Sequence, residues 1–149
     1  MFMQIAIIAD DKKKELMTQF CIAYCGILSK HDLCATNITG KFISDATGLH
    51  IEKFLAGAYG GIEQISARVA FDEIDMLLFF RDALEEEDTF GDKAALALIR
   101  ACDLHNVPVA TNIATAEILV RALDRGDLDW REIVNPRSDY NLKKKAGKK

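Results

Sequence analysis

Short apolar runs alternate along this chain with segments in which apolar residues recur at helical spacing. The first pattern predicts buried strands and the second amphipathic helices. Met3–Ala9 (MQIAIIA) is a continuous apolar run, as expected of a strand buried on both faces. Asp11 follows it, then a helical pattern with Leu16, Met17, Phe20 and Ile27 on one face. Leu33–Thr36 predicts a short second strand. Thr39 and Gly40 then open a helix through Phe42, Ile43 and Ala46, which stops at Gly48. Ile51–Leu55 predicts a third strand. Gly60 and Gly61 open a helix carrying Ile65, Val69 and Phe71, and Asp75–Phe80 (DMLLFF) is a fourth buried strand. The acidic stretch EEEDTFGD leads into a helix rich in alanine and leucine that ends near His105 and Asn106. Val107–Thr111 is a fifth strand, and Asn112–Leu123 a last helix. Strictly alternating strands and helices predict an α/β domain with a five-stranded, mainly parallel sheet covered by helices on both faces.

Composition narrows the class. At 149 residues, half of them apolar, the chain suits one domain with a sizeable core. No apolar run is long enough to cross a membrane, so no membrane partner is expected. The amino-terminal run lacks a basic segment and stops at Asp10, so it reads as a strand and not as a signal peptide. The four cysteines, Cys21, Cys25, Cys34 and Cys102, form no CxxC pair, which argues against a metal site. Free, mostly buried thiols are expected, and with them a cytoplasmic, reducing setting. The net charge is −4. The last seven residues, KKKAGKK, contribute five lysines and no acid, leaving −9 on residues 1–142. So acidic a body is not expected to bind nucleic acid. The domain is expected to span residues 1–142, with 143–149 as a disordered basic tail.

Ligands of parallel α/β sheets bind beyond the carboxyl ends of the strands. The exits predicted here are Asp10–Lys14, Thr36–Gly40, Ala56–Gly61, Asp82 and Thr111–Asn112, where polar residues and glycines concentrate. Several are helix N-termini, with unpaired N–H groups and partial positive charge. Together they predict an anion site. Within it LAGAYGGIEQ stands out. It is a glycine-rich turn that lets backbone N–H groups approach an anion, yet its first helical position is the apolar Ile62.

The stretches IAIIADDKKKELM, HDLCATNITGKFISDATGL, the GxxGGxxQ turn, LLFFRDAL and LIRACDLHNVPVATNIATAEILVRALDRGDLDW are colinear with the methylglyoxal synthase family. The resemblance covers about residues 3 to 134. It implies a Rossmann-like three-layer fold, usually in homohexamers, and conversion of dihydroxyacetone phosphate to methylglyoxal and inorganic phosphate without a cofactor. The reaction needs a carboxylate to remove a proton, donors for the enediolate oxygen, and a grip on the departing phosphate. By resemblance the phosphate grip comprises Lys14, Thr36, Thr39, Gly40, Gly57 and Arg100, and Asp11 and Asp82 match carboxylates that organise the site.

Other positions depart from the family pattern. The family's T-G-T-T-G reads Thr36-Asn37-Ile38-Thr39-Gly40, and the serine before Gly57 is Ala56. Its G-P-x-G-G-D-Q-Q supplies the proton-abstracting aspartate where this chain has Ile62. Glu63 is adjacent, but a helical neighbour points about 100° away. A histidine after the first strand is replaced by Asp10. The family's P-H-x-P-D loop is two residues shorter than Ala83–Lys93 and its histidine has no counterpart. Counting from Asp82, Asp92 falls on the loop's aspartate and Thr89 on the histidine; counting back from Arg100 gives Ala94 and Gly91. The C-terminal arginine has only Lys143–Lys145 nearby, and lysine does not reproduce a bidentate guanidinium. The expectation is a homologue that binds phosphate or a phosphorylated metabolite; the alternative is an active synthase with a rearranged site using Asp92 or Glu63.

Overall fold

The computed structural model describes residues 2–84 and 90–147, with residues 90–92 described by their backbone alone. Five parallel strands form one sheet: β1 (Gln4–Ala9), β2 (Asp32–Ala35), β3 (Ile51–Lys53), β4 (Met76–Phe80) and β5 (Val109–Ala110), in the order β3-β2-β1-β4-β5. Ile5 and Ile7 of β1 face Leu33 and Ala35 on one neighbour and Met76 and Leu78 on the other. The helices are α1 (Lys14–Ala23), α2 (Cys25–Leu28), α3 (Asn37–Thr47), α4 (Gly61–Ala70), α5 (Phe90–Leu104), α6 (Ile113–Asp124) and α7 (Asp139–Ala146). Alternate residues of each buried strand point to opposite faces. Ile5, Ile7, Leu78 and Phe80 pack with Met17 and Phe20 of α1, Ile43 of α3 and Val120 of α6. Ala6, Ile8, Leu77 and Phe79 pack with Ile62, Ile65 and Val69 of α4 and Leu98 and Cys102 of α5. The fold is thus a three-layer, Rossmann-like α/β domain. The chain winds outward from β1 to β3, then returns to build β4 and β5 on the other side, so a topological switch lies between β1 and β4.

The apolar runs predict all five strands, and the differences lie at their ends. The fifth strand shortens to Val109–Ala110 because Val107 donates its N–H to Cys102 O in the exit turn of α5 (2.9 Å), and Pro108 has no N–H to give. The first helix does not continue to Ile27. It ends at Ala23, and Ile27 and Leu28 both donate to Tyr24 O, in a separate short turn containing Gly26. Phe71, expected on the apolar face of the fourth helix, is its C-cap and is exposed. Cys21, Cys34 and Cys102 are buried free thiols, and burial pushes each up to about 12.

The largest departure is at the carboxyl-terminal end. Lys143–Lys145 lie in regular helix, in α7, where the sequence predicts a disordered tail. The helix is anchored from its first turn. Ser138 accepts from Asn141 N (3.2 Å) and donates to Glu132 O (2.6 Å). The Asn141 amide donates to the carbonyls of Glu132, Ile133 and Asn135. Upstream, Arg131 lies fully buried against Asp75 at the amino end of β4. Its Nε donates to Asp75 Oδ1 (2.9 Å), and its remaining nitrogens to the carbonyls of His105, Asn106 and Ile74. Asp75 Oδ2 accepts from Gln4 N and from the Asn135 amide.

Candidate functional site

A cavity of about 330 Å³ opens at the carboxyl ends of the strands. Ala9, Asp10, Asp11 and Lys14 line it from β1 and the start of α1, and Thr36, Ile38 and Thr39 from α3. Ala56–Tyr59 and Ile62 line it from the glycine-rich turn and α4, with Arg81 after β4 and Ala95 on α5. A larger cavity of about 600 Å³ lies at the opposite end of β1 and β2, lined by residues such as Gln4, His31, Asp32 and Arg137. Volume does not decide between them. Ligands of these sheets bind beyond the carboxyl ends of the strands, and only the smaller cavity has helix N-termini converging on it.

Each wall follows from local sequence. Thr36 is the extended residue before α3. Asn37 N donates to Leu55 O (3.3 Å) and Gly40 N to Thr36 O (2.9 Å). The amides of Ile38 and Thr39 are first-turn groups without an intrahelical acceptor. Thr39 is 1% exposed, and its hydroxyl is the one buried side-chain polar atom without a hydrogen-bond partner among the described residues. Such an atom costs about 1–3 kcal/mol unless something in the cavity bonds to it. Lys14 Nζ donates to Ala9 O (2.9 Å) and to Asp11 Oδ1 (2.8 Å), which holds the ammonium at the cavity wall. The hydrogen bond from Lys14, and then its charge, hold the Asp11 carboxyl below the usual carboxylate range.

Asp10 continues the β1–β4 pairing, donating its N–H to Phe80 O (2.9 Å). Its Oδ2 accepts from Asp82 N (2.7 Å), so it ties the first strand exit to the fourth. The glycine-rich turn is held by backbone bonds: Tyr59 N and Gly61 N both donate to Ala56 O. Gly60 sits at φ 101°, a conformation that favours glycine. Gln64 Oε1 accepts from Leu55 N (2.8 Å) and closes the turn from the helix side. Ile62 therefore enters the cavity wall at the first turn of α4, 8% exposed, its Cδ1 3.7 Å from where a Cβ on Gly57 would stand.

Of the residues singled out in the sequence, Asp11, Lys14, Thr36, Thr39, Gly57 and the Ile62 position share this cavity. Gly40 packs against the sheet instead: a Cβ there would meet Lys53 Cγ at 3.1 Å and Ala35 Cβ at 3.3 Å. Asp82 lies beside the lining. It gives its N–H to Asp10, and its Oδ1 accepts from Leu84 N. Arg100 is exposed on α5 and Glu63 exposed on α4, both outside the lining. Asp92 falls in the first turn of α5, and its side chain, like Thr89 and the acidic loop 85–88, lies outside the described residues. None of the three histidines lines the cavity. Sequence reasoning missed Tyr59, Arg81 and Ala95. Arg81, whose guanidinium lies 6.0 Å over the Phe79 ring, was the findable one, because it is the first charged residue at a strand exit.

The arrangement can hold an anion. It offers first-turn amides of α3 and an ammonium, with the unpartnered Thr39 hydroxyl buried in the wall. Its α4 side offers carbon where a proton-abstracting group would need oxygen or nitrogen. Among the described residues no group of side chains is placed to hold a metal ion.

Comparisons with known proteins identify the family. The family model of the MGS-like domain matches residues 19–111. The methylglyoxal synthase of Caldicellulosiruptor saccharolyticus is 58% identical over 139 residues, covering 93% of this chain and 97% of that one. That of Oceanobacillus iheyensis is 52% identical over 137 residues, covering 92% and 96%. The crystal structure of methylglyoxal synthase from Elizabethkingia anophelis superposes with a TM-score of 0.72 at 32% identity, over 80% of this chain and 77% of that one. With the fold and similarity over about nine-tenths of its length in agreement, the chain belongs to the methylglyoxal synthase family.

Proposed function

We propose that this chain binds a small phosphorylated metabolite in the strand-exit cavity and turns over dihydroxyacetone phosphate far more slowly than the enzymes it resembles. The observation that carries the reading is Ile62. It lines the cavity at the position where the resemblance puts the proton-abstracting aspartate, and it is packed there as part of the core. Glu63 does not replace it, being exposed and outside the lining. The phosphate side is supported independently by the buried Thr39 hydroxyl, the first-turn amides and Lys14. Removing a carboxylate beside the phosphate also removes a repulsion, so binding without turnover is electrostatically consistent.

An assay of the purified chain with dihydroxyacetone phosphate, following methylglyoxal and free phosphate, tests the reading. Loss of one acid–base group costs about 10²–10⁴ in rate, so turnover is expected at least about a hundredfold below that of the Caldicellulosiruptor enzyme. Turnover within about tenfold of that enzyme defeats the proposal. Ile62→Asp together with Thr89→His is expected to raise the rate, since it supplies a carboxylate and a loop histidine, two of the groups the family pattern has and this chain lacks. A second reading, an active synthase, is favoured by the 58% identity to a protein of that name, and the same assay decides between them.

A further inference from the structure

The cavity has two chemical halves. On the α3 side lie the first-turn amides and the Lys14 ammonium, with the unpartnered Thr39 hydroxyl buried in the wall. On the α4 side it presents Ile62, Ala56, Ala58 and Ala95, with Ile38 at the rim, and Tyr59 and Arg81 complete the lining. The two carboxylates of the lining do not change that division. Asp10 is engaged by Asp82 N and Asp11 by Lys14, both on the β1 side. A ketose phosphate lying with its phosphate against α3 would press a carbonyl or a hydroxyl against carbon. Groups that meet Ile62 or the alanines would give up water for carbon, a loss of about tenfold to a hundredfold in affinity. An alkyl chain in the same place loses nothing polar and buries apolar surface on both sides.

Resting on the reading that the site grips phosphate, we propose that its ligand is a phosphomonoester with an apolar carbon skeleton, and that Ile62 selects it against ketose and polyol phosphates. Ile62 is then a specificity-determining residue, and the apolar wall is a ligand surface.

Isothermal titration of the full chain with inorganic phosphate, n-propyl phosphate and dihydroxyacetone phosphate tests this. Propyl phosphate is expected to bind about tenfold or more tighter than dihydroxyacetone phosphate. Ile62→Asn is expected to narrow that ratio at least about tenfold. If circular dichroism shows that this core substitution unfolds the chain, Ile38→Thr at the exposed rim carries the test, with a narrowing of about threefold or more. Equal or tighter binding of dihydroxyacetone phosphate by the unsubstituted chain overturns the selectivity and leaves the phosphate grip standing. An unchanged ratio in the folded variant overturns the role of the apolar wall. Failure of all three compounds to bind at millimolar concentration overturns the phosphate grip itself, and the selectivity with it.

Discussion

Gly61→Ala is expected to destabilise the chain by about 4 kcal/mol or more, a large part of the roughly 5–15 kcal/mol that holds a typical domain together. A Cβ at this position would fall inside the van der Waals surface of the Leu55 carbonyl oxygen, 2.9 Å from the Leu55 carbonyl carbon and 3.1 Å from that of Ala56. All three are backbone atoms, so no rotamer change relieves the clash. Leu55 cannot retreat either. Its carbonyl accepts from Asn37 N at the start of α3, and its N–H donates to the Gln64 side chain. The strain passes to α4, which would move Ile62, Ile65 and Val69 out of register with the sheet. Gly57→Ala is the control: its added methyl meets only Ile62, at 3.7 Å, an ordinary contact. Urea denaturation of both variants separates a backbone clash from a general intolerance of the turn. A loss below about 1 kcal/mol for Gly61→Ala would show that Leu55 can move.

Arg131→Met is expected to cost about 3–5 kcal/mol, because it leaves the Asp75 carboxylate buried without its counter-charge. Both side chains are buried, with relative exposures of 0% for Arg131 and 1% for Asp75. The guanidinium also satisfies three backbone carbonyls, which methionine cannot do. Asp75→Asn in the same chain is expected to recover part of the loss, since an amide carries no charge to leave unpaired and still accepts from Gln4 N. Midpoints of urea unfolding for the two single variants and the double variant give the coupling. Simple additivity of the two single losses would mean that the buried pair contributes nothing as a pair.

The strands and the cavity were legible in the sequence for different reasons. β1 and β4 are buried on both faces, so MQIAIIA and DMLLFF have no competing reading. The strand exits were legible because the chain must change there from apolar to polar, and Lys14, Thr39 and Gly57 all stand at such changes. What stayed hidden was decided by contacts distant in sequence. Arg131 sits in the polar stretch DWREIVNPRSD, where nothing local distinguishes a fully buried arginine from a solvated one. The available signal was its partner, a carboxylate at the head of an apolar strand, which has to meet a cation somewhere. The close packing at Gly40 was hidden likewise: a Cβ there would crowd Lys53 and Ala35 on the neighbouring strands, which no local pattern announces.

The pairing of Asp75 with Arg131 has a consequence for synthesis. The cation lies 56 residues downstream of the acid. At about 5–20 residues per second, translation makes it roughly 3 to 11 s later. All five strands have been made by Ala110, so the acid at the head of β4 is made well before the cation it pairs with. The central sheet thus includes an acid whose counter-charge is made only after all five strands.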